Sequence, residues 1–114
     1  MLYKFVLLQT FIHYLLHFGA IGIIAYVYWP KKWFKAYLIL FATMLVDVDH
    51  LWANPIFDPD RCSIGFHTFH SYPMIAVYFL GAIFVKHAIL RLIFIGLLFH
   101  MFTDGLDCLW NAYL

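Results

Sequence analysis

The chain has 114 residues, 66% of them hydrophobic and 11% charged, with a formal net charge of +1. A water-soluble domain carries about 25% charged residues, so this composition excludes an ordinary soluble surface. A near-neutral charge without a clustered basic face also excludes nucleic acid as a partner.

A bilayer-spanning helix needs about 20 mostly apolar residues. Four such stretches follow one another, at about residues 3–28, 33–53, 67–85 and 89–112. The first carries His13 and His17; it is too long for a signal-peptide core and has no small-residue cleavage site, which predicts a retained span. Pro30, Lys31 and Lys32 close it. The second ends in Asp47-Val48-Asp49-His50 and stops before Pro55, where a missing amide hydrogen costs least. Residues 54–66 form a loop with Asp58, Asp60, Arg61 and Cys62, in which the aspartates read as turn residues. The third stretch opens on His67 and His70, and Pro73 predicts that its helix begins near Ser71, with both histidines at its start. His87 falls in a short cationic connection and reads as a solvated residue, and the fourth stretch carries His100, Asp104 and Asp107. The expected fold class is all-α, an integral membrane four-helix bundle forming one transmembrane domain, with a homo-oligomer left open. Trp29, Trp33, Trp52 and Trp110 at the span ends suit an interfacial belt, or equally plain lipid packing.

Cytoplasmic loops carry the excess of lysine and arginine. Lys31, Lys32, Lys35, Lys86 and Arg91 lie at one side, against Lys4 and Arg61 at the other. This predicts both termini and the 54–66 loop on the extracytoplasmic side. Cys62 and Cys108 then share an oxidising face, which permits a disulfide; two buried thiols are the alternative.

Ionisable groups inside a membrane are costly and point to function. His13/His17 and His100/Asp104 are four residues apart, and Asp47/His50, His67/His70 and Asp104/Asp107 are three apart, the separations that share a helix face. His13 lies roughly 15 Å below the outer surface at about 1.5 Å per residue, and antiparallel neighbours bring the other pairs to a similar depth. The expected metal ligands are His13, His17, Asp47, Asp49, His50, His67, His70, His100 and Asp104. Imidazole with carboxylate favours zinc, with iron or manganese as alternatives, and the ligand count fits two ions better than one. Asp107 and one of Asp47 or Asp49 are expected to hold ligand imidazoles by hydrogen bonds. Asp49 or Asp107 would serve as general base to a metal-activated water.

The motifs His13-x-x-x-His17-x-Gly19, Asp47-Val48-Asp49-His50, His70-Ser71 and His100-x-x-x-Asp104 resemble those of the YdjM-like, LexA-regulated membrane-bound metal-dependent hydrolases of bacteria. The resemblance covers nearly the whole chain. It implies a multi-pass inner-membrane hydrolase, distantly similar to zinc phospholipases C, with membrane lipid as partner and a lipid or phosphoester as substrate. Two other readings stand beside it. A non-catalytic metal protein would show a closed ligand shell, although a carrier would need a polar through-path, and residues 20–27 and 76–85 are almost wholly apolar. A bis-histidine haem protein has no use for so many aspartates in one layer.

Overall fold

The computed structural model describes residues 2–53, 62, 64–65 and 67–113, with side chains from Leu7 onward. Asp58, Asp60, Arg61 and the side chain of Lys4 lie outside the described residues. Those described form helix and turn with no strand, arranged as four rods.

The first rod contains α1 (Leu2–Tyr14), a π-helical stretch (Leu15–Ala20) and α2 (Ile21–Tyr28). It runs unbroken because no proline occurs before Pro30. Pro30–Lys32 forms a 3₁₀ turn, from which α3 (Trp33–Ala42) departs. The second rod was expected to be α-helical to residue 53; instead, Thr43–Trp52 winds as a 3₁₀ helix. The tightening starts at Thr43, whose hydroxyl and backbone N–H both donate to the carbonyl of Leu40, three residues back.

The third rod is a 3₁₀ turn (Thr68–His70) followed by α4 (Tyr72–Phe84). Ser71 is extended at its N-cap and Pro73 lies in the first helical turn, so His67 and His70 precede the helix. The loop before it closes through Gly65, whose backbone N–H donates to the carbonyl of His70. Its φ of +82° is one that glycine adopts without steric cost. The fourth rod is α5 (Ala88–Tyr113), 26 residues long. His87 is exposed, and its Nδ1 accepts the Leu90 amide at 3.3 Å, capping the start of α5.

Residues Leu7–Tyr28 and Ala88–Tyr113 are each long and apolar enough to cross a membrane; Tyr72–Phe84 is apolar but shorter. α5 packs against α4, α3, α1 and the 3₁₀ helix, while α2 packs on α3. One apolar core joins Ile21, Ala25, Ala36, Leu40 and Leu92, and another joins Val46, Tyr78 and Met101. α3 and α5 come unusually close at Gly96, where a Cβ would stand 2.8 Å from Thr43 Cγ2 and 2.9 Å from Leu40 Cδ2.

The two ends of the rods differ in chemistry. At one end, Lys32 and Lys35 lie over Trp29 and Arg91 over Tyr28, with ring distances of 5.3, 5.7 and 5.5 Å. Toward the other end are the buried histidines and aspartates; His100 is roughly 12 Å beyond Leu92 along α5 at about 1.5 Å per residue. There Cys62 and Cys108 form a disulfide, with a Cα separation of 5.0 Å, tying the loop to α5 one turn past Asp104.

Candidate metal centre

The polar layer is built by departures from regular α-helix. Residues two apart project about 160° from each other in an α-helix at about 100° per residue, but about 120° apart in a 3₁₀ helix. The 3₁₀ winding of Thr43–Trp52 therefore lets Asp47 and Asp49 both face inward, which an α-helix would prevent. On the first rod, His17 sits in the π-helical stretch, and its side chain is buried at 2% exposure. His70 comes from the 3₁₀ turn before α4; His100 and Asp104 come from one face of α5.

Four atoms from three rods converge. Asp47 Oδ1 lies 3.3 Å from His70 Nε2 and 3.0 Å from His100 Nε2. Asp104 Oδ2 lies 2.9 Å from His70 Nε2 and 3.1 Å from His100 Nε2. Two donors each about 2.1 Å from one zinc ion stand roughly 3.0–3.4 Å apart, so these separations match the edges of a coordination shell.

The proton on His70 decides what its other nitrogen can do. Nδ1 lies 2.8 Å from Asp49 Oδ2, and an ionised carboxylate only accepts, so Nδ1 carries the hydrogen. Nε2 then faces two carboxylate oxygens: as a lone pair it is repelled by them unless a metal cation stands between, and with a second proton it would donate to them instead. His70 Nε2 is buried and has no hydrogen-bond partner among the described residues. His17 Nε2, His13 Nδ1 and His100 Nδ1 share that condition. Buried polar atoms are ordinarily satisfied, and His70 Nε2 and His17 Nε2 each face a carboxylate within a group that could hold a metal ion. The fit to a divalent cation is good in donor type, number and spacing.

Asp49 holds this arrangement from behind. It is wholly buried; Oδ2 accepts from His70 Nδ1 and from the Phe69 amide at 2.8 Å, and Oδ1 lies 3.0 Å from His50 Nδ1. The carboxylate–histidine–metal relay needs such a residue to fix ring orientation and tautomer. The Phe69 carbonyl in turn accepts the Tyr78 hydroxyl at 2.9 Å.

Of the nine expected ligands, Asp47, His70, His100 and Asp104 form one group that could hold a metal ion. His13 and His17 form a second with Asp104, and Asp49, His50 and His67 a third. Asp47/His50 and His67/His70, expected to work as pairs, are thus divided between groups. The third group is the poorest metal site. Asp49 is fully occupied, His50 Nδ1 also meets the Asp47 carbonyl at 3.0 Å, and the His50 and His67 rings stack at 3.8 Å. Asp107 lies against His13, with Oδ2 2.5 Å from Nδ1.

Gln9 and Asn111 were not anticipated. Gln9 donates to Asp107 Oδ1 at 3.4 Å and to Asn111 Oδ1 at 3.1 Å, fixing Asp107 from its outer side. Gln9 is four residues before His13, and Asn111 four after Asp107, so the same-face rule could have found both.

Fold and site together define an all-helical protein with clustered imidazoles and carboxylates able to bind a metal ion. The chain belongs to a family of unknown function, DUF6122, which it matches over residues 7–111. No curated protein and no solved structure matches it.

Proposed function

We propose that this protein is a metal-dependent hydrolase of the bacterial inner membrane, acting on a membrane lipid or another phosphoester. The carrying observation is the convergence of His70 Nε2, His100 Nε2, Asp47 Oδ1 and Asp104 Oδ2 at 2.9–3.3 Å, with His70 Nε2 buried and without a hydrogen-bond partner among the described residues. Zinc is favoured by the mixed imidazole and carboxylate donors. When bound, it supplies an electrophile and a water acidic enough to attack near neutral pH.

The remaining roles fall to the chain's own residues. Asp47 is the open side of the group: its side chain is 38% exposed, against 8% or less for His70, His100 and Asp104. Asp49 and Asp107 were both candidates for general base. Asp49 at 0% exposure is a positioning residue for His70, whereas Asp107 at 33% can meet water and take a proton.

The membrane assignment draws on the two long apolar helices and on the outward display of Ile23, Val27, Leu45 and Phe84, each at least 70% exposed. A four-helix bundle with the basic end cytoplasmic and the polar layer extracytoplasmic accounts for both, and the Cys62–Cys108 disulfide suits the oxidising side. The motif resemblance to the YdjM-like hydrolases supports the same reading. A second reading, a metal that only stabilises the fold, is favoured by the near-complete burial of three of the four ligand residues.

The test is elemental analysis of protein purified in detergent, alongside release of headgroups from phosphatidylglycerol and phosphatidylethanolamine vesicles. Bound zinc and slow hydrolysis are expected, with the hydrolysis lost and the zinc content lowered in His70→Ala and Asp104→Ala. A metal-free wild type, or hydrolysis that persists in both variants, would overturn the proposal. Zinc without any turnover would leave the structural reading.

A further inference from the structure

We infer that the protein holds a second cation, at His13 and His17, and that Asp104 is the carboxylate shared between the two sites. The inference rests on the first metal site proposed above and extends it.

Asp104 presents its two oxygens in different directions. Oδ2 faces His70 and His100 at 2.9 and 3.1 Å, while Oδ1 faces His17 Nε2 at 3.5 Å. The distance to His17 is too long for a good N–H···O bond, and His17 Nε2 has no hydrogen-bond partner among the described residues. That side chain is 98% buried, counting from its 2% exposure, so no bulk water satisfies it. A buried imidazole nitrogen without a partner is destabilising, and a ligated cation would remove that penalty.

The neighbouring groups complete a site of the same kind as the first. His13 and His17 are in edge contact at 4.3 Å between ring centroids, and their nitrogens lie within 4.8 Å of each other and of an Asp104 oxygen. His13 Nδ1 is likewise buried and lacks hydrogen-bond geometry, despite its close contact with Asp107 Oδ2. The His17 and His100 rings stand 4.5 Å apart, so the two groups are adjacent. The π-helical stretch Leu15–Ala20 carries His17 at this point, and such insertions are frequent at functional sites.

A carboxylate that bridges two cations clamps them close enough to hold the entering and leaving oxygens of an in-line displacement at phosphorus. Such a pair suits the phosphoester proposed above as the substrate.

Zinc-to-protein ratios on detergent-purified protein test this, with helicity and elution volume checked for each variant. About two zinc ions are expected in the wild type, one in His17→Ala, one in His70→Ala and fewer than one in Asp104→Ala. A wild type with one zinc that His17→Ala leaves in place would overturn the second site and leave the first intact. A wild type with none would overturn both. A measurement on the wild type alone covers the case of a misfolded variant. Loaded with manganese(II), it should give the broadened spectrum of an exchange-coupled pair in electron paramagnetic resonance. Only the six-line signal of isolated ions would overturn the shared carboxylate.

Discussion

Asp49 shows how much a single buried residue can decide. It contacts His70 Nδ1, the Phe69 amide and His50 Nδ1. Asp49→Asn keeps the shape but replaces one acceptor oxygen with an N–H donor. The variant is expected to fold and to bind zinc roughly 10–100-fold more weakly, as measured by competition with a chromophoric chelator, because His70 loses its fixed tautomer. Unchanged affinity would show that Asp49 does not orient the ligand. At this scale the sequence was informative where charge met an apolar run. Each of the nine ligand candidates stood out as an ionisable group in an apolar stretch, and all fall into the three groups. Gln9 and Asn111 were missed because a neutral amide near a helix end carries no comparable signal. The division of labour between Asp47 and Asp49 was also hidden, since it depends on which oxygen meets which ring.

The positions of the four helical stretches were legible because their apolar lengths and the prolines mark them: α4 begins at Tyr72, beside Pro73, and Lys86 and His87 separate it from α5. Their winding was not. A 3₁₀ or π register is set by contacts such as the Thr43 hydroxyl on the Leu40 carbonyl and by packing against α5, which local propensity does not contain. The same junction depends on Gly96. A Cβ there would press on Thr43 and Leu40, so Gly96→Ala is expected to destabilise the protein by about 1–3 kcal/mol through overpacking. Gly105 lies in the same helix with nothing within 4 Å of an added Cβ. Gly105→Ala is expected to be neutral or to stabilise by up to about 1 kcal/mol, the intrinsic preference for alanine in a helix. Thermal unfolding of the two variants in one detergent separates packing from propensity, and equal effects would contradict the close approach of α3 and α5.

At the scale of the whole molecule, the disulfide links what the chain keeps 46 residues apart. Closing a loop of that length restricts the unfolded chain by about 4 kcal/mol on the chain-entropy account. Reduction, or Cys108→Ser, should therefore lower the unfolding midpoint, and an unchanged midpoint would show that the link does not constrain the unfolded ensemble. The sequence permitted this pairing without choosing it, because the choice depends on Cys62 coming to lie against α5. The pairing also makes the proposed topology testable. Cys62 and Cys108 lie at the end of the molecule that holds the polar layer, whereas Lys31 and Lys32 lie at the other, over Trp29 or beside it. With the basic end cytoplasmic, a membrane-impermeant reductant followed by an impermeant maleimide should label Cys62, which is exposed, in intact cells. In a background with both native cysteines replaced by serine, Lys31→Cys should label only after the membrane is permeabilised. The reverse pattern would place the metal site in the cytoplasm, where a reducing environment works against the disulfide. Labelling of both positions in intact cells would mean that the chain does not separate its two ends across a bilayer at all.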